Sequence, residues 1–346
     1  MLVQNNISHE TIDHRYLDIT INGSTDTSNL QEAIFSSTRA VPYLKKCNEW
    51  ELGIVRFQVP STFIPSFFYN PLWEVSLFYN NTKATAFLQY DLGSYNTNLG
   101  PYAILKPIYN VSDFILMVNN AYKVAAGVLS SLVSILIDPP QMLFDAGSGI
   151  ITLLAPKLFF DEILSLGYIG MNPPLYEYFK SISALYYKDN NPTYNGYFIF
   201  RVYETLNNQE TFNSIVYLKM VGDVSTIDNW EVLTQIVISC NSVPVTPEMR
   251  AIGSGATPLL KAILTDFNFV GLLNNNLDIQ FYNQGNIRWY DMVSAHELST
   301  FDLEFNWKDV KGNIYPIYIG ENQSANIKIC FRKKGRFDNY DDKQSY

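Results

Sequence analysis

Residues 299–320 read STFDLEFNWKDVKGNIYPIYIG, and within them Phe301, Leu303, Phe305 and Trp307 alternate with Asp302, Glu304, Asn306 and Lys308. Successive side chains of a strand point to opposite faces, so the alternation predicts a half-buried antiparallel strand. Its aromatics and leucine face a core, and its charges and amide face water. Lys311-Gly312-Asn313 then supplies a turn, because Gly312 takes the positive φ of a tight hairpin without steric penalty, and a second apolar run starts at Ile314 and extends to Ile319.

Toward the N-terminus, short apolar runs recur at Tyr16 to Ile21, Trp50 to Pro60, Trp73 to Tyr79 and Ala84 to Tyr90. Pro60, Pro65, Pro71 and the Asn80-Asn81 pair punctuate them. Strand texture returns at Gly196 to Tyr203, Ser214 to Met220, Leu233 to Cys240, Ala262 to Val270, Asp278 to Phe281 and Ala325 to Arg332. The middle differs. NVSDFILMVNNAYKVAAGVLSSLVSIL, from Asn110, places Phe114, Val118, Ala121, Ala125, Val128 and Leu132 at helical spacing behind Ser112/Asp113 as N-cap candidates. Asn119, Asn120 and Lys123 interrupt its apolar character, and the clean stretch from Val124 to Ile137 falls short of the ~20 residues a bilayer needs, so no membrane span is expected. Pro139-Pro140 ends the helix, and QMLFDAGSGIITLLAP reads as a hairpin turned at Ala146-Gly147-Ser148-Gly149.

The sequence therefore predicts an all-β fold, a single jelly-roll β-sandwich with an inserted α+β subdomain. An N-terminal arm and the first strands occupy 1–100, the insertion 101–192, the remaining strands 193–335 and a tail 336–346.

Composition narrows the function. Of 346 residues 47% are hydrophobic and only 16% charged, and 24 Tyr and 22 Phe favour strands and protein contacts. A net charge of −9 disfavours phosphate and membrane surfaces. The basic cluster Lys328, Arg332, Lys333, Lys334 and Arg336, followed by Asp338, Asp341 and Asp342, reads as the solvated end of the last strand rather than a nucleic-acid contact. Cys47, Cys240 and Cys330 show neither zinc-knuckle spacing nor a disulfide framework, which suits a reducing compartment. MLVQNNISHE lacks a secretory n- and h-region, so the sequons at Asn6, Asn22, Asn80, Asn110 and Asn322 are read as by-products of an asparagine-rich chain.

Catalytic patterns are wanting. His9 and His14 in HETIDH are five apart, whereas two zinc ligands on one helical face need i, i+4 spacing. His296 has only Glu297 beside it, and neighbours on an extended chain face opposite ways. The GSG triplets at 147–149 and 253–255 lack the Lys-Ser/Thr of a phosphate loop, and Cys240 ends a strand as a buried small hydrophobe. Carboxylate pairs such as Asp161/Glu162 and Asp341/Asp342 give no sign of converging; a β-sandwich glycosidase would need two such acids from far apart in the chain. The expectation is a protein that is not an enzyme, with no catalytic, metal or cofactor residue to name and no cofactor.

The order of phrases in the last third is particular: IVISCNSVPVTPE (236–248), KAILTDFNF (261–269), the DIQFYNQGNIRWYDMV segment with Arg288-Trp289-Tyr290-Asp291, FDLEFNW, the Lys-Gly-Asn turn and a closing IKICFRKK. With DFILMVNNAY, MLFDAGSGIITLLAP and IGMNPPLYEYF in the middle, it resembles the minor capsid or penton proteins of virophages and polinton-like DNA viruses. The resemblance implies a structural role in the virion: a homopentamer closing the fivefold vertices of an icosahedral capsid, its insertion raised outward. The implied partners are other copies, major capsid protein capsomers and a minor or cement capsid protein, with assembly in the host cell, in a cytoplasmic virus factory or in the nucleus. Arg288, Trp289 and Tyr290 are the candidate subunit interface, since arginine and aromatics anchor interfaces; filling the core beside a strand is the competing role for the two rings. The alternatives are another minor capsid position, a receptor- or glycan-binding spike using Tyr176/Tyr178/Phe179 and Tyr186/Tyr187, and, less favoured, a β-sandwich hydrolase.

Overall fold

A computed structural model describes residues 14–23, 30–90, 106–159, 167–188, 194–200, 208–212, 215–226, 230, 232–245, 248–249, 260–268, 278–283 and 287–334. The chain forms two compact units. One comprises Met1–Ile64, Leu233–Val270 and Asn274–Tyr346; the other comprises Pro65–Val232 and Gly271–Leu273.

The first unit opens with β1 (His14–Asn22), β2 (Gln31–Glu32), β3 (Ile34–Thr38) and β4 (Trp50–Pro60). The second unit follows with β5 (Phe67–Phe68), β6 (Glu74–Tyr79), β7 (Thr82–Phe87), β8 (Pro107–Ile108) and the helix α1 (Val111–Val133). Next come β9 (Gln141–Asp145), β10 (Ile150–Pro156), β11 (Gly167–Met171) and the one-turn helix α2 (Pro173–Tyr176). This unit ends with β12 (Ala184–Tyr186), β13 (Phe198–Phe200), β14 (Gln209–Phe212) and β15 (Ile215–Val221). The chain returns to the first unit through β16 (Leu233–Cys240), β17 (Glu248–Met249), β18 (Leu260–Asn268) and β19 (Asp278–Tyr282). It closes with β20 (Tyr290–Asp291), β21 (Thr300–Asp309), β22 (Ile314–Pro316), β23 (Tyr318–Ile319) and β24 (Ser324–Lys333).

The longer strands of the first unit make two sheets, β1-β24-β4-β19 and β3-β21-β16-β18, with antiparallel pairing throughout. Counted along the chain, these eight strands lie in the orders 1-8-3-6 and 2-7-4-5. That is the double Greek key of a jelly roll. Pro65–Val232 of the second unit leaves between the third and fourth of them, β4 and β16. The fold is thus the single jelly-roll sandwich with an α+β insertion that the sequence predicts.

β21 shows why the pattern is legible. Phe301, Leu303, Phe305 and Trp307 are each at most 1% exposed. Burying such side chains is worth about 1.5–3 kcal/mol apiece. Phe305 reaches across to Phe57 of β4, at 6.3 Å between ring centroids, and Phe301 to Phe331 of β24 at 6.2 Å, so one strand ties the two sheets together. Phe57 also meets Phe267 of β18 and Phe281 of β19. The polar face of β21 is half-buried rather than bathed in water, because β3 and β16 flank it. Asp302 uses that position to accept the backbone N–H groups of Asn241 and Ser242.

The predicted turn after β21 is present, with Gly312 at φ +85°. Its organiser is Asp309, only 4% exposed. One carboxylate oxygen accepts the N–H groups of Lys311 and Asn313, each at 2.8 Å; the other accepts the Asn313 amide at 2.9 Å and the Tyr315 hydroxyl at 3.2 Å.

In the second unit, β12-β13-β11-β6-β7 form one sheet and β14-β15-β10-β9 another. Asn80 and Asn81 both have positive φ, 45° and 63°, as a two-residue hairpin between β6 and β7 demands. This unit is wider than the 101–192 insertion expected from sequence. β6 and β7 join it because β6 pairs with β11, and β15 joins it because it pairs with β10.

Helix α1 starts earlier than Ser112/Asp113. Asn110 is the N-cap: its side-chain oxygen accepts the Asp113 N–H at 2.8 Å while its amide donates to the Asp113 carboxylate at 2.7 Å. Phe114, Val118, Ala121 and Ala125 are buried as expected, whereas Val128 and Leu132 are 44% and 59% exposed. The buried stripe instead runs through Tyr122, Ala126 and Leu129, toward the neighbours the helix has. By length and composition α1 could cross a bilayer. One of the polar residues that interrupts it ties the helix to β9. Asn119 donates to Met142 O at 2.9 Å and accepts from Met142 N at 2.7 Å, pairing with that strand as a neighbouring strand would.

Candidate functional site

The segment Ile287 to Tyr290 runs beside β4 and enters β20, which pairs with it. Its seat is Gly53 of β4: a Cβ built there would stand 2.3 Å from the Ile287 Cγ2 methyl and 3.0 Å from the Trp289 ring. A strand residue without a side chain thus lets the segment lie flat on the sheet. Trp289 is half-buried and carries the Arg332 guanidinium 4.1 Å from its ring centroid, and Arg332 in turn pairs with Glu51. Tyr290 begins β20, opposite Leu52, and lies 4.9 Å from the Arg288 guanidinium. Arg288 is exposed and pairs with Asp266 at 3.2 Å. The three residues singled out from sequence form one patch in which Arg288 is the exposed member.

The basic cluster at the end of β24 is largely neutralised within the first unit. Lys328 faces Asp18 at 3.9 Å, Arg332 pairs with Glu51 and Lys334 faces Asp291 at 3.2 Å. Arg336 lies outside the described residues.

The other candidates scatter. Tyr176 and Phe179 are buried, and Tyr178 packs its ring against Phe67, Trp73 and Phe114, so these three belong to the core of the second unit and offer no platform for a sugar. Tyr186 is 46% exposed and leans on Phe198. Cys47, Cys240 and Cys330 are free and buried, and burial pushes the Cys240 thiol up to about 12. His296 and Glu297 are exposed on a loop. Gly147-Ser148-Gly149 turns the β9–β10 hairpin, with Asp145 accepting from Gly147 N and Ser148 Oγ. His9, the 253–255 triplet, Asp161/Glu162 and Asp341/Asp342 lie outside the described residues. Among the described residues no cluster of His, Cys, Asp and Glu could hold a metal ion.

What the structure offers is a jelly-roll sandwich carrying an α+β insertion, and comparison with known proteins places it in a family. The profile of the Sputnik minor capsid protein V18/19 family matches residues 15–333. The chain belongs to that family. Its members are structural components of a virus capsid, and this protein is accordingly a capsid protein of the virion that assembles with other capsid subunits. A chain from the structure of the Sputnik virophage, solved by cryo-EM at 3.5 Å, superposes with a TM-score of 0.78 at 24% identity, covering 93% of this chain and 98% of that one. The crystal structure of the mavirus penton protein gives a TM-score of 0.67 at 16% identity, covering 92% of this chain and 99% of that one. At these identities the likeness is one of fold. A comparison with curated proteins gives no match.

Proposed function

We propose that this family member is a penton protein: five copies close each fivefold vertex of an icosahedral shell and meet the major capsid protein capsomers around it. The observation that carries the reading is the reach of the fold likeness to the mavirus penton protein, 92% of this chain and 99% of that one, which takes in both the sandwich and the insertion. The role is mechanical, with no catalytic step. Copies meet through heterologous contacts that close a ring, and the patch of Arg288, Trp289 and Tyr290 is one of the contact surfaces, Arg288 being its exposed anchor.

The test is solution mass by light scattering with negative-stain class averages, for the protein alone and mixed with its major capsid protein. Rings of five, or five copies at each vertex of co-assembled shells, are expected. Arg288→Glu should reduce both while changing monomer stability by less than about 1 kcal/mol, since the Arg288–Asp266 pair is exposed. A protein that never forms rings and is absent from the vertices of shells assembled in its presence would sink the proposal.

A further inference from the structure

Five arginines lie among the described residues, and three of them have carboxylate partners: Arg56 with Asp18, Arg288 with Asp266 and Arg332 with Glu51. Arg15 and Arg39 pair with no carboxylate among the described residues, and both line the same cleft of about 520 Å³ in the first unit. Uncharged groups hold them there. Arg15 donates to Tyr43 O at 2.9 Å and stands 5.2 Å from the Trp50 ring, while Arg39 stands 4.4 Å over the Tyr43 ring. Each guanidinium carries five N–H donors in a fork suited to carboxylates. Beside them are Val41, 77% exposed, and Tyr16, 59% exposed. In a chain of net charge −9, two arginines kept from every described acid and set beside exposed apolar surface form a site for a segment carrying both carboxylates and rings.

The chain itself continues into such a segment. Phe331, which lines the cleft, is paired with Arg15 across the β1–β24 ladder. Lys334 follows about 10 Å further along the strand direction. The sequence then reads GRFDNYDDKQSY over 335–346, with Asp338, Asp341 and Asp342 interleaved with Phe337 and Tyr340. A run of this length spans up to about 40 Å extended, ample to fold back across β24 to β1. We propose that the cleft binds the stretch from Phe337 to Asp342 of the same chain, its aspartates against Arg15 and Arg39 and a ring against Val41. The stretch then covers β1, an edge strand among the described residues, where an unprotected strand invites pairing with another chain.

The proposal does not rest on the penton assignment, and its test needs no shell. The full chain is compared with D338N/D341N/D342N and with R15Q/R39Q. Readouts are tryptic cleavage within 335–346, amide exchange over 14–22 and 39–43, and fluorescence anisotropy of a labelled 335–346 peptide. Both variants should speed cleavage several-fold and raise exchange. The peptide should bind D338N/D341N/D342N, weaken with added salt, bind the wild type poorly because its cleft is filled, and lose at least tenfold in affinity when R15Q/R39Q is added. Should R15Q/R39Q unfold, Arg39→Gln alone carries the test, since the described contacts of that guanidinium are with the Tyr43 ring. Cleavage and exchange unchanged in every variant, or peptide binding indifferent to the arginines, overturns the proposal. A scrambled peptide that binds as tightly assigns the cleft to acidic segments in general and overturns the choice of occupant.

Discussion

Replacing Asp309 should open the hairpin that follows β21. The side chain accepts four hydrogen bonds, from Lys311 N, Asn313 N, Asn313 Nδ2 and Tyr315 OH, at 2.8 to 3.2 Å, and is itself 4% exposed. A hydrogen bond to a charged group contributes about 1.5–3 kcal/mol, but donors left near the surface regain water and return much of that. Lys311 is exposed and Asn313 half-buried, so about a third of the gross sum should survive: Asp309→Ala is expected to cost about 2–4 kcal/mol. Asp309→Asn keeps one acceptor oxygen for the two backbone N–H groups but presents an amide to Asn313 Nδ2 and Tyr315 OH, for about 1–2 kcal/mol. Denaturant unfolding followed by tryptophan fluorescence gives the midpoints, and amide exchange at residues 305–318 localises the effect. Trp307 lies on β21 and stacks on Tyr315 at 4.6 Å, so its emission reports on this hairpin. A loss below about 0.5 kcal/mol for Ala, or equal losses for Asn and Ala, would contradict this account, because either would mean that the carboxylate does not organise the turn.

Burial, followed by the Asp309 charge, pushes the Tyr315 hydroxyl up to about 12, so its contribution holds below pH 10 and is lost as pH rises through 12; Tyr315→Phe should flatten that part of the alkaline stability curve, read from unfolding midpoints between pH 9 and 12. Gly53→Ala should cost about 1–3 kcal/mol and shift tryptophan emission, because the new methyl collides with Ile287 and Trp289; an unchanged spectrum would mean that the 287–290 segment does not rest on β4. Asn119→Ala strands the N–H and C=O of Met142 on β9, with an expected loss of about 1–3 kcal/mol and faster exchange at residues 141–145. Cys47, Cys240 and Cys330 should resist a thiol reagent in the native state and all react in denaturant; rapid native labelling of Cys240 would be at odds with its burial at 0% exposure.

Local features are legible in the chain alone. The period-2 alternation of β21, the Lys311–Asn313 turn, the Asn80-Asn81 hairpin and the helix after Asn110 are written within a few residues, because pleat, φ preference and helical spacing are properties of neighbours along the chain. Phrase order carried the family, which the match over residues 15–333 then established. Long-range packing settles what remains. β6 and β7 resemble sandwich strands in composition, yet belong to the second unit, because β6 pairs with β11, about ninety residues further along the chain. Val128 and Leu132 keep the helical period yet face outward, because period fixes that a helix has a buried face and only the neighbours fix which face it is. Arg15 and Arg39 carried no signal in sequence at all. Their shared cleft exists because β1 and the loop after β3 come together, and their lack of a described acid becomes visible only once every other charge has been placed.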